Sequence, residues 1–303
     1  MTVTVLESSP TTDVDAVPSG AAVVAPTAPL ARTRRPVGPL LRRFGVILAL
    51  GIILFAVLSA VVPQLLATYD PTATAPLDRL LPPSTTHWFG TDELGRDLYS
   101  RVVHGSALTI AATALAVGLA LVVGLTLGVL SGFVGGLTDS IAMRIVDVFL
   151  AIPGLLLALA IVTALGFGTI PVAIAVGIGI VPGFARTTRA EVLRVRTLPY
   201  IEAARAGGAS WSRILITHIL PNSWGPVMVL AVLDVGVAIL AVASLSFLGF
   251  GAAPPAAEWG TLIANGRNYL VTAPWVSLIP GLFVAVVVLS LNHLSKTLEE
   301  AQR

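Results

Sequence analysis

Few side chains in this sequence could do chemistry, and those that could are charges set in an apolar background. Asp234 is the one acid placed deep in an apolar run, with Val227 to Ile239 around it almost wholly apolar. A carboxylate there is costly, so it faces either the protein interior or a wet path, which makes it a candidate pathway residue. Arg144 and Asp147 are three apart and share a helix face, where each can neutralise the other; a structural ion pair and a proton relay both fit that spacing. Asp92, Arg96 and Asp97 follow a turn at Phe89-Gly90-Thr91-Asp92, where ion pairs would brace a loop. His87, His104, His218 and His293 lie on different segments and make no metal site of helical spacing. The chain has no cysteine, so disulfides and thiolate ligation are excluded. It has no glycine-rich loop carrying a phosphate-holding lysine, and no grouping of Ser, His and Asp that argues for hydrolysis.

The elements that must position these residues are membrane helices. Only 11% of residues are charged, 55% are hydrophobic, and mean hydropathy is +0.91, whereas a soluble domain carries about 25% charged residues. The composition predicts an all-α polytopic membrane protein. Apolar runs at Phe44 to Leu66, Ala107 to Leu130, Ile141 to Leu165, Ile170 to Ala185, Val227 to Phe250 and Trp275 to Leu294 give six transmembrane helices; about 20 residues cross roughly 30 Å of hydrocarbon. The domain plan is a disordered cytoplasmic tail at 1–43, a first span at 44–66, an extracytoplasmic loop at 67–106, a core at 107–295 and a cytoplasmic tail at 296–303. The first run continues past Ser59 and Ala60, so it reads as a retained span and not a cleaved signal. Six spans put both termini on one side. Of the 18 lysines and arginines, only Arg79, Arg96, Arg101 and Arg267 fall on the other. The positive-inside rule then makes the terminal side cytoplasmic. The net charge of +2 is spread over short loops, so it reflects topology and not a nucleic-acid patch.

The most distinctive polar stretch is Tyr200 to Asn222, YIEAARAGGASWSRILITHILPN, between spans four and five. Pro199 suits a first helical turn, and Glu202, Ala203, Ala204 and Arg205 favour helix. Gly207-Gly208 breaks it, Ser210 caps a second helix from Trp211 to Leu220, and Pro221 stops that one. His218, three residues before Pro221, would position the loop beneath span five. Two short helices on a glycine elbow, outside the bilayer but tied to it at both ends, have the form of a docking device. Arg186, Arg189, Arg194 and Arg196 lead into it, facing either lipid phosphates or an acidic partner surface. Asp139 is placed to cap the third span, and Trp259 to anchor an outer turn at headgroup depth.

Glu202-Ala203-Ala204, then Gly207 with Gly208, then Leu220-Pro221 resemble the cytoplasmic loop of ABC importer permeases. His87 to Gly105, Gly132 to Pro153 and Ser244 to Ile263 are similar to segments of the dipeptide, oligopeptide and nickel branch of that family. Two departures stand out: Ala107 replaces a frequent arginine, and Asn292 lacks its usual Gly-Asp. The resemblance implies the type I importer permease fold, with a coupling helix between spans four and five. Its coupling residues would be Tyr200, Glu202, Ala203, Ala204, Arg205, Gly207, Gly208, His218 and Pro221. It implies a non-catalytic subunit working with a second homologous permease, two ATP-binding subunits, an extracytoplasmic solute-binding protein and membrane lipid. This chain would bind no cofactor itself; ATP and Mg belong to the ATPase partners. Di- or oligopeptide cargo is expected, with nickel or a metal chelate as the alternative. A proton-coupled secondary transporter using Asp234 and Asp147 is the reading from another class; it calls for inverted repeats, and none is found in the sequence.

Overall fold

The computed structural model describes residues 39–301, so most of the tail expected at 1–43 lies outside the described residues. In chain order the helices are α1 (Pro39–Val61), α2 (Pro63–Leu66), α3 (Leu98–Val134), α4 (Gly136–Leu150), α5 (Gly154–Leu165), α6 (Thr169–Arg196), α7 (Pro199–Ala206), α8 (Trp211–Ile214), α9 (Leu220–Phe247), α10 (Trp259–Gly266) and α11 (Trp275–Ala301). No β-strand forms among the described residues. Among the described residues five helical segments are long and apolar enough to cross a membrane, and α4 with α5 pass the same test together as a bent pair, which brings the number of spans up to six when the pair is counted as one. The chain is an all-α polytopic membrane protein.

Small residues set how these helices meet. Gly124, Gly128 and Gly132 recur every fourth residue along α3 and form one stripe against α6. A Cβ at Gly124 would lie 2.3 Å from Phe184 Cβ, at Gly128 2.5 Å from Thr188 Cβ, and at Gly132 2.9 Å from Val192 Cγ1. Close backbone approach is what drives helix pairing where lipid removes the hydrophobic incentive. Phe184 fills the seam at 0% exposure, and Ala116, Val162, Val176, Val227 and Val242 complete a core shared by α3, α5, α6 and α9. A second cluster joins α1, α9, α10 and α11 around Trp259, Val284 and Val287.

Several elements differ from the sequence expectation. The third span is no straight helix: α4 and α5 meet at 93° across Ala151 to Pro153. Proline disfavours helical backbone in the residue before it and cannot donate to the ladder, so the helix turns there. The second span starts earlier, at Leu98, because Asp97 caps it through the Ser100 amide (2.8 Å) and its first turns are packed in protein. Span four runs on to Arg196, with its arginines on the same rod as its apolar part. Asp139 caps nothing: Gly135 holds the α4 N-cap, and Asp139 accepts from Arg189 and Ser131 instead. Trp259 is fully buried, its Nε1 donating to the Val102 carbonyl at 3.1 Å, so the expected headgroup anchor is a core residue that pins α10 to α3.

Candidate functional site: the α7 elbow

The polar stretch after α6 folds at the end of the bundle where α3 ends and α9 begins. Pro199 occupies the first turn of α7, where a missing N–H is no loss. Glu202 in the first turn and Arg205 in the last both complement the helix dipole. Ile201 is 1% exposed and packs with Val192, Val195, Ile214 and Ile219; Ala204, three residues on, faces the same cluster. Burying an isoleucine stabilises by about 1.5–3 kcal/mol, enough to fix which face of so short a helix points inward. Glu202, Ala203 and Arg205 are left exposed, and Tyr200 is 41% exposed. The helix thus presents one polar and small-residue face outward.

The elbow behind α7 has a defined geometry. The Ala209 amide donates to the Ala204 carbonyl at 3.1 Å, and the Gly208 amide to the Arg205 carbonyl at 2.9 Å. These two crossed bonds are a Schellman motif, which demands a left-handed residue at the position after the cap. Gly208 supplies it at φ +83°, while Gly207 keeps an ordinary φ of −73°. Ser210 then caps the next helix, its Oγ accepting from the Arg213 amide at 3.4 Å.

Pro221 does not stop that helix, contrary to the sequence expectation. Trp211 to Phe247 is one 37-residue rod. Residues Leu215–Ile219 form a π turn, closed by the Leu220 amide on the Leu215 carbonyl. The wider turn shifts the hydrogen-bond register just where a proline would otherwise clash with the ladder. Asn222 Nδ2 donates to the His218 carbonyl at 2.6 Å beside the proline. The His218 ring meets Tyr200 edge-on at 6.2 Å, so it ties α7 to the base of the rod.

Phe133 carries no signal in the sequence, Trp211 reads there only as the start of a helix, and Arg196, expected to face lipid phosphates or an acidic partner, turns inward instead. The Arg205 guanidinium sits 4.3 Å from the Trp211 ring centroid, and Phe133 meets the same indole edge-on at 5.3 Å. Arg196 Nη1 donates to the carbonyls of Gly132 and Phe133 at 3.2 and 3.1 Å, closing the C-terminus of α3. No fixed spacing joins these residues, since the contacts cross the elbow and three helices. The inward pair Ile201 and Ala204, at helical spacing, was the signal available in sequence.

The remaining sequence candidates separate into distinct places. Arg144 and Asp147 do not pair, which corrects the expectation. Asp147 accepts from Arg186 of α6 at 2.7 Å, and Arg144 has no ion-pair partner among the described residues. Shared helix face was not enough, because α6 brings a second guanidinium to the same carboxylate. Arg189 makes a bidentate bond to Asp139 (2.5 and 2.6 Å) and Arg194 pairs with Glu191. All four arginines of this stretch of α6 thus find partners within the chain. Asp234 is half-buried midway along α9, with no hydrogen bond or ion pair among the described residues. At the other end of the bundle, Arg96 Nε lies 2.7 Å from Asp92, and Asp97 accepts from His87 Nδ1 at 2.9 Å.

Apolar helices of spanning length, one pair of them bent, with a short outward-presenting helix between the fourth and fifth spans define a polytopic membrane protein that carries an exposed docking helix. The chain belongs to the family described as binding-protein-dependent transport system inner membrane component, which matches residues 124–303. It is therefore a permease component of an ABC importer. It is 44% identical over 241 residues to "Probable D,D-dipeptide transport system permease protein DdpC" of Escherichia coli (strain K12), covering 80% of this chain and 81% of that one. It is 42% identical over 255 residues to the dipeptide transport system permease protein DppC of Alkalihalophilus pseudofirmus, with 84% of each chain covered. Among solved structures, an inward-facing form of the MetNI methionine ABC transporter superposes with a TM-score of 0.53 at 20% identity, covering 65% of this chain and 96% of that one. That similarity is one of fold.

Proposed function

We propose that this chain is one of two permease subunits of an ATP-driven importer of di- and oligopeptides, and that α7 is the helix through which the motor acts. Two ATP-binding subunits, holding ATP and Mg, would seat the exposed face of Tyr200, Glu202, Ala203 and Arg205. A second homologous permease would complete the pathway, and an extracytoplasmic solute-binding protein would deliver cargo to the face bearing residues 67–97. Both termini and α7 are then cytoplasmic, in keeping with the distribution of basic residues. Peptide cargo is supported by relatives named for dipeptides and glutathione.

One observation carries the reading. The exposed helix is bolted by Ile201, a Schellman elbow and the Trp211 contacts to a rod that runs unbroken through the fifth span. Closure of the ATPases on α7 moves that rod as a lever, and Asp234, midway along it, would shift with it beside the pathway. The deciding experiment places Glu202→Arg in the reconstituted complex and compares ATP hydrolysis with and without loaded binding protein. We expect basal hydrolysis to persist and stimulation to fall at least tenfold. Undiminished stimulation, or uptake that continues without ATP and collapses with the proton gradient, would defeat the proposal.

A further inference from the structure

At the end of the bundle remote from α7, a cavity of about 470 Å³ lies between the 67–97 loop and the connection from α9 to α10. That size is typical of small-molecule sites, which bind within about 300–1,000 Å³ and are apolar with a few placed polar groups. Glu93, Arg96 and Arg101 form one wall; Phe167 contributes apolar surface, and Gly251 and Ala253 bring a wall with little side chain.

The charges on this wall are only partly used. Arg101 is 2% exposed and has five N–H donors. Its contacts are Nη1 to the Pro71 carbonyl at 2.9 Å and Nε at 3.4 Å from Asp92, outside hydrogen-bond geometry. Glu93 gives one oxygen to Arg96 at 3.2 Å and keeps its other oxygen buried without a partner. Arg96 is committed, with Nε on Asp92 at 2.7 Å. Buried polar groups are almost always satisfied, so the spare donors of Arg101 and the partly open Glu93 carboxylate on one cavity wall call for a functional explanation.

We propose that this cavity receives the charged ends of a short peptide, its carboxylate at the Arg101 guanidinium and its ammonium beside Glu93. This rests on the peptide-import reading. A guanidinium fork matches a carboxylate in geometry and charge. A simple anion would be repelled by Glu93 and a simple cation by Arg101, so the juxtaposition selects a zwitterion. Cargo released at this face would be held at the pathway entrance before the spans rearrange.

The test uses the complete transporter in lipid nanodiscs without its binding protein, and equilibrium dialysis with labelled glycyl-leucine, its C-terminal amide and its N-acetyl form. Free glycyl-leucine should bind saturably. Capping either end, or filling the cavity by Ala253→Trp, should weaken binding at least tenfold, and Arg101→Gln should erase the preference for acid over amide. Absence of saturable binding, equal binding of capped peptides, or indifference to Ala253→Trp would overturn the site. Should Ala253→Trp not assemble, Glu93→Gln decides: the preference for a free ammonium must vanish, and its survival refutes the assignment. ATP-dependent peptide uptake is measured in parallel. Uptake without cavity binding sinks this inference alone, whereas loss of all ATP-dependent peptide uptake sinks the functional reading.

Discussion

Gly207 and Gly208 are neighbours with unequal duties, and the difference is one dihedral angle. Gly208 sits at φ +83°, in the left-handed region, while a Cβ on Gly207 would meet only the Ala203 and Ala204 carbonyls at 3.4 and 3.5 Å. A side chain in the left-handed region costs about 1–2 kcal/mol. Gly208→Ala is therefore expected to loosen the elbow, and Gly207→Ala to stay within about 0.5 kcal/mol of the parent. Limited proteolysis of the 199–222 segment, read beside ATPase stimulation, checks this; equal effects from both variants would contradict the Schellman assignment. Charge shows the same dependence on neighbours: Asp147 chose Arg186 over the closer-in-sequence Arg144, because helix packing decides which guanidinium arrives.

At the scale of elements, the site is a joint between a short helix and a long one. α7 makes little helix of its own, being eight residues, and isolated helices of that length are marginal in water. Its stability is borrowed from Ile201 in the cluster beneath and from Arg205 over Trp211. A cation–π contact at a partly exposed site gives about 0.5–1 kcal/mol, and an aromatic pair about 0.5–1.5 kcal/mol. Trp211→Ala removes both and is expected to uncouple: ATPase activity retained, peptide uptake reduced severalfold, with Trp211→Phe recovering the aromatic share only. Uptake unchanged in Trp211→Ala would show that α7 acts without this contact. The π turn at Leu215–Ile219 matters for the same transmission, since it lets the rod pass Pro221 without a break.

Over the whole molecule, the proposed lever would require that the rest of the bundle hold still while one rod moves. The close-packed α3–α6 seam is the part of the bundle with least room to shift. A Cβ at Gly128 would lie 2.6 Å from the Ala185 carbonyl oxygen and 2.9 Å from the Arg189 amide, so backbone itself would have to shift. Gly118 on the same helix has open space around it. Gly128→Val is thus expected to destabilise by about 1–3 kcal/mol or more through overpacking, with loss of assembled complex, while Gly118→Val is tolerated. Thermal melts of detergent-purified complex separate the two; a matching loss in both would place the damage in helix propensity and not in the seam.

The sequence by itself determined that the chain is a helical membrane protein, roughly where its apolar runs lie, and that a polar helix and a glycine elbow interrupt them. Those properties depend on composition and on residues a few positions apart, such as Pro199 with Glu202 or Ser210 with Arg213. Only the tertiary structure decided that the third span bends by 93°, that Pro221 is passed without a stop, that Trp259 is buried, and that Asp139 and Asp147 pair with arginines of α6. The bend and the passage of Pro221 turn on how the backbone absorbs a proline, whereas the burial of Trp259 and the pairing of Asp139 and Asp147 set a local preference against a partner brought in from far along the chain. The partner wins because a membrane core offers no water to satisfy a charge, an indole N–H or a free carbonyl.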